Sequence, residues 1–220
     1  MTTDPAIGAT TSGIVLAGGE SRRFGSDKLQ VPIDGVPLLD LAVGSLIDLV
    51  DEIIVVVAPG RAMPAVGADL GPAPVRFAVD PEQFGGPLVG IRTGLAAARG
   101  GRVIVVGGDM PSVVPGVLEL LLDRSPAALA DEADVLRPLP CVLDRIPALS
   151  AADRLLGSGQ RRLRALLVEL GTVAVPRADW AVEDPAGLSL RDIDEPTDMP
   201  GSSRAPTFRS GPWREEEPGP

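Results

Sequence analysis

The chain has 220 residues, 45% hydrophobic and 23% charged, and carries a formal net charge of −10. That is enough apolar material to bury a core in one domain, and the acidic balance argues against nucleic acid as the main partner. Histidine is absent and Cys141 is the only cysteine, which excludes imidazole bases, histidine metal ligands, intramolecular disulfides and cysteine zinc sites; any metal must be held by oxygen, as Mg²⁺ is.

Residues 1–12 are polar and lack the basic region and apolar run of a signal peptide, so they read as a flexible N-terminus. A buried strand follows over 13–17, then a glycine-rich loop over 18–28. Apolar residues Leu38, Leu39, Leu41, Ala42, Leu46 and Leu49 recur at helical spacing and predict a helix over 38–50. Strands are expected over 53–58 and 75–79, a helix over 88–98, a strand over 102–106 and a helix over 115–122. Segments 127–130 and 135–143 read as a hairpin or as neighbouring strands. Helices over 147–156 and 161–170 and a strand over 172–175 complete the pattern. Residues 200–220 hold five Pro, three Gly and three Ser, the composition of a disordered tail, although its Trp213 could dock elsewhere.

Alternating strands and helices imply an α/β domain over 13–199, a mostly parallel sheet with helices on both faces. The longest apolar runs, such as 53–59, are strand-length and too short to span a bilayer. Together with the single cysteine and the missing signal this points to the cytoplasm. In such sheets ligands bind beyond the carboxyl ends of the strands, which singles out the loops after residues 17, 79 and 106.

The first of these loops reads Leu16-Ala17-Gly18-Gly19-Glu20-Ser21-Arg22-Arg23-Phe24-Gly25-Ser26-Asp27-Lys28. Paired glycines let the backbone approach an anion, and Arg22, Arg23 and Lys28 supply three cations suited to a triphosphate. The loop is neither G-x-G-x-x-G nor a Walker pattern, since Lys28 follows Asp27. A glycine-rich turn with solvated arginines is the plain alternative. Of the 20 basic residues 19 are Arg, and Lys28 is the only lysine. A compact ammonium is therefore kept in the one loop where a planar fork would fit poorly.

Asp109 stands just past the strand over 102–106, which makes it either a carboxylate on the ligand edge or a helix cap before Pro111. Asp80 precedes Pro81 and by spacing alone is a turn former. Arg92 reads as a solvated helix face and Cys141 as core.

The loop resembles the signature of nucleotidyltransferases of the molybdenum cofactor guanylyltransferase type. Further similarities fall in order: Asp80 before Gly86-Pro87-Leu88-Val89-Gly90-Ile91, then Gly108-Asp109-Met110-Pro111, Pro138-Leu139-Pro140, Arg161-Arg162-Leu163 and Asp192-Ile193-Asp194-Glu195-Pro196. The resemblance implies a single three-layer Rossmann-like domain of the nucleotide-diphospho-sugar transferase type. It also implies transfer of GMP from GTP to the phosphate of a molybdopterin-type cofactor, with molybdoenzymes or cofactor-biosynthesis proteins as further partners. Leu16, Ala17, Gly18, Gly19, Lys28, Asp80 and Asp109 would bind the nucleotide. Lys28, Asp109 and Arg22 would be catalytic, and Mg²⁺ would sit on Asp109 and Asp194, the latter equally a helix cap. Lys28 and the loop amides are expected to hold the nucleotide independently of Asp109. One departure stands out: relatives often carry an Asn after the second strand, where this chain has Val57-Ala58-Pro59-Gly60. That leaves open a cytidylyltransferase, another phosphorylated acceptor, or a nucleotide-binding regulator without catalysis.

Overall fold

The computed structural model describes residues 10–18, 28–60, 62–67, 70–82, 85–194 and 198. In chain order the elements are β1 (Thr11–Leu16), the two-residue pair β2 (Pro32–Ile33) and β3 (Val36–Pro37), α1 (Leu38–Gly44), β4 (Glu52–Val57), β5 (Val75–Val79), α2 (Pro87–Ala97), β6 (Arg102–Gly107) and α3 (Pro115–Leu122). There follow β7 (Ala127–Ala130), β8 (Leu136–Asp144), α4 (Arg145–Gly157), α5 (Leu163–Glu169), β9 (Val173–Val175) and α6 (Arg177–Trp180).

Seven strands form one sheet in the order β5-β4-β1-β6-β8-β7-β9. The β1, β4, β5 and β6 strands run parallel, with Ile14 beside both Ile54 and Val105. Because both faces are covered at the centre of the sheet, β4 and β6 hold continuous buried apolar runs rather than alternating ones, while the edge strand β5 leaves Phe77 and Val79 exposed. Val15, Val55 and Ile104 face Leu39 of α1 and Leu118 of α3. Ile14, Ile54 and Val105 face Leu88 and Ile91 of α2, Ala148 of α4 and Leu166 of α5. Each fully buried aliphatic side chain contributes about 1.5–3 kcal/mol, so the three layers are mutually dependent.

One expectation changes in detail and another is narrowed. The helix predicted over 38–50 ends at Gly44, where Ser45 Oγ bonds back to the Ala42 carbonyl at 2.8 Å. The chain then continues as turns that still bury Leu46 and Ile47. Competing side-chain bonds of this kind are what end helices at Ser. Segments 127–130 and 135–143 form an antiparallel pair, β7 with β8, and β8 also pairs antiparallel with β6. Of the two alternatives the hairpin holds, and Asp131 closes it by accepting the Ala133 and Val135 amides through Oδ1. Short connections of this sort oblige antiparallel pairing. Arg92 pairs with Asp153 at 2.9 Å, tying α2 to α4, and Cys141 is fully buried with its thiol pushed up to about 12 by burial.

At the amino ends of the central strands, the buried Glu52 gathers three donors. Its carboxylate accepts Ser12 Oγ at 2.9 Å, the Arg99 amide at 2.7 Å and the Arg76 guanidinium. Among the described residues no helix is long and apolar enough to cross a membrane.

Candidate active site

Parallel β4, β1 and β6 bring Val57, Leu16 and Gly107 to the same edge of the sheet. Backbone bonds lash these ends together: Ala17 N to Val56 O at 2.7 Å, Gly108 N to Leu16 O at 2.9 Å and Asp80 N to Val57 O at 2.9 Å. The Ala17 amide is therefore already bonded, and the first loop amide past this lashing is that of Gly18. Gly19 and Arg22 lie outside the described residues.

Asp109 follows two glycines for a steric reason. A Cβ on Gly107 would collide with Asp109 Oδ1, and one on Gly108 would stand 3.2 Å from the Leu16 carbonyl. Only glycine at 107 lets the carboxylate fold back this tightly. Its other oxygen, Oδ2, accepts Lys28 Nζ at 2.8 Å. Lys28 opens a short 3₁₀ turn (Lys28–Gln30), is only 8% exposed, and also bonds the Ile193 carbonyl at 3.2 Å and Asp194 Oδ1 at 3.3 Å. Burial alone would lower the Lys28 pKa, but the Asp109 and Asp194 carboxylates outweigh it and hold the pKa above the ordinary lysine value. The side chain is a permanent cation.

Asp194 comes from the far end of the chain, and a strap delivers it. Asp184, almost completely buried, accepts the Leu188 and Ser189 amides, and Ser189 Oγ accepts the Val114 amide at 3.0 Å. The Ile193 amide then donates to the Asp109 carbonyl at 2.9 Å, which brings the next residue alongside Lys28. Asp194 N donates to Asp198 Oδ2 at 3.0 Å. Sequence reasoning had no signal for this strap beyond the motif itself. Asp192, quoted only as part of the motif, also stands near Asp194 and Asp109, and partial desolvation and their charges push its carboxyl above the ordinary value.

Asp80 occupies the other side of the β1 end. Its Oδ2 lies 3.6 Å from where a Cβ on Gly18 would stand and 3.5 Å from one on Gly90 of α2. Its Oδ1 and the hydroxyl of Thr93 are both buried without a hydrogen bond. Burial raises the Asp80 carboxyl above its ordinary value. A turn former would instead satisfy its oxygens on nearby amides. The structure thus gathers Leu16, Ala17, Gly18 and Asp80 on one side and Lys28, Asp109 and Asp194 on the other, joined through the Gly108–Leu16 bond.

Lys28 and Asp109 form an ion pair, so altering either one changes the electrostatic surroundings of the other. The same pair tests a metal at this place. Two carboxylates converge on one cation, which is the donor set a hard divalent ion takes. Among the described residues no cluster of three or more acidic, His or Cys side chains is placed to hold a metal. The remaining ligands would have to be waters and substrate phosphates, the usual arrangement for Mg²⁺.

Comparison with known proteins agrees with this architecture. The family model of the MobA-like NTP transferase domain matches residues 13–173. A "Probable molybdenum cofactor guanylyltransferase" of Chloroflexus aggregans is 34% identical, covering 86% of this chain and 91% of that protein. One of Natronomonas pharaonis is 32% identical, covering 86% and 94%. The crystal structure of molybdopterin-guanine dinucleotide biosynthesis protein A from Archaeoglobus fulgidus superposes with a TM-score of 0.64 at 25% identity, covering 85% of this chain and 94% of that one. The chain belongs to the MobA-like NTP transferase family and is a nucleotidyltransferase of the molybdenum cofactor guanylyltransferase-like kind.

Proposed function

We propose that the chain transfers GMP from GTP to the terminal phosphate of a molybdopterin-type cofactor, releases pyrophosphate and forms the guanine dinucleotide. The observation that carries this reading is the convergence of Lys28, Asp109 and Asp194 beside the glycine end of β1. A phosphate monoester is already an anionic nucleophile at neutral pH, so no histidine base is needed. An oxygen of the acceptor phosphate attacks the α-phosphorus of the nucleotide in line, the bond to the β-phosphate oxygen breaks, and the electron pair leaves with pyrophosphate. Asp109 and Asp194 would hold Mg²⁺, which would supply neutralisation of the phosphate charge.

The chain's own residues supply alignment and fixed charge. Lys28 and the amides from Gly18 onward, with Gly19 and Arg22 by motif, hold the triphosphate and stabilise charge on the leaving group. Asp80, with an unpartnered buried oxygen, offers an acceptor to the N–H or O–H groups of the nucleoside. The end of β4, Val57 and Ala58, carries no side-chain amide, so base selection falls more heavily on Asp80. The deciding experiment measures pyrophosphate release with each of the four NTPs and molybdenum-loaded molybdopterin. Release with GTP alone supports the reading. Release with CTP transfers it to a cytidylyltransferase, and nucleotide binding without release under any pairing overturns catalysis.

A further inference from the structure

The geometry points to Lys28 as a built-in competitor of the metal: its ammonium holds the cation place between Asp109 and Asp194 and must leave before a divalent ion can be bound by both carboxylates. This inference rests on the reading of Asp109 and Asp194 as the metal site. Nζ lies 2.8 Å from Asp109 Oδ2 and 3.3 Å from Asp194 Oδ1, one oxygen from each partner. The second oxygen of Asp109 is turned against Gly107, so the oxygen that faces Asp194 is the one Lys28 takes. Two hard cations sharing these oxygens would repel at close range. The lysine, on a flexible four-carbon stem, is the one able to move.

The negative charge of a triphosphate bound at the glycine loop gives the ammonium a place to go. Metal and nucleotide binding are then coupled through one side chain. The nucleotide draws Lys28 off the carboxylates and thereby opens them, and by reciprocity the metal releases Lys28 to the phosphates. Without nucleotide the chain binds divalent ions weakly, and Lys28 keeps the two carboxylates from repelling each other.

The test exploits Lys28 as the only lysine in the chain. Labelling the intact protein with lysine carrying ¹³C at Cε yields one lysine signal, followed during titration with Mg²⁺ in the absence of nucleotide. The signal is expected to move along the same saturation curve as Mn²⁺ occupancy read by electron paramagnetic resonance. Lys28→Met and Lys28→Ala, checked for folding by circular dichroism, are expected to bind Mn²⁺ at least tenfold tighter than the unaltered chain, again without nucleotide. An unmoved lysine signal with the ion bound, or no gain in affinity in the two variants, overturns the proposal. If Asp109→Asn abolishes Mn²⁺ binding in that case, the metal site itself stands. If Mn²⁺ binding survives Asp109→Asn, both the proposal and the metal-site reading fall.

Discussion

On the proposed reading, Lys28 is needed for turnover and yet opposes metal binding. Lys28→Ala is expected to lower guanylyl transfer at least about 100-fold, the scale of losing one donor that stabilises transition-state charge. Lys28→Arg should rescue poorly, because Nζ is almost buried among three oxygens and a planar fork cannot converge on them. Near-normal turnover in Lys28→Arg would sink the argument from the lone lysine. Asp109→Asn should cost about 10²–10³-fold, by the same analogy, and recover only in part at high Mg²⁺. Asp194→Asn should be milder, since its contact with Lys28 is longer and its side chain is 49% exposed against 29% for Asp109. Equal losses in the two variants, measured at one low Mg²⁺ concentration, would refute the ranking. Lys28 and Asp109 were singled out by the sequence because one is the only lysine and the other ends an apolar strand. Their contact was not, because 81 residues separate them.

At the level of elements, the central strands are secured at both ends by polar contacts that hydrophobic periodicity does not reveal. Glu52 is the clearest case. Burial would raise its carboxyl, yet the hydrogen bonds from Arg76, Arg99 N and Ser12, together with the Arg76 charge, hold it below the ordinary glutamate value. A carboxyl that binds protons less readily folded than unfolded contributes stability above about pH 4.5, and that contribution is lost as the pH falls through the lower folded value. Glu52→Gln should therefore destabilise the protein by about 1–3 kcal/mol at neutral pH and flatten the fall in Tm between pH 5 and 3. Parallel acid limbs for the two proteins in thermal unfolding would refute the assignment. The strap through Asp184 and Ser189 was equally invisible beforehand, since side-chain oxygens that accept from amides 5 and 75 residues away carry no periodic signature.

For the whole molecule, one domain with a parallel core and a reversed strand brings the candidate groups among the described residues to one end of the parallel strands. Residues 200–220 contribute no periodic apolar pattern to that domain, so their deletion should leave Tm and pyrophosphate release nearly unchanged. A Tm lowered by more than a few degrees would mean that Phe208 or Trp213 packs on the core. Arg22, Arg23 and Lys28 put three cations into one loop of a chain whose net charge is −10, so added salt should weaken nucleotide binding by screening, visible as a rising Kd for GTP.

By itself the sequence determined the alternation of strands and helices, the glycine loop and the exclusion of histidine and cysteine chemistry, because apolar spacing, glycine and composition act locally. Only the tertiary structure decided three things. The hairpin of β7 and β8 reverses one strand, since pairing direction depends on how short the connection is. One oxygen of Asp80 is buried beside the end of β1 and α2, which its place before Pro81 does not reveal. Lys28 meets Asp109 and Asp194, from positions 28, 109 and 194, because convergence of charges is set by where strands and strap end in space, and no local pattern encodes that distance.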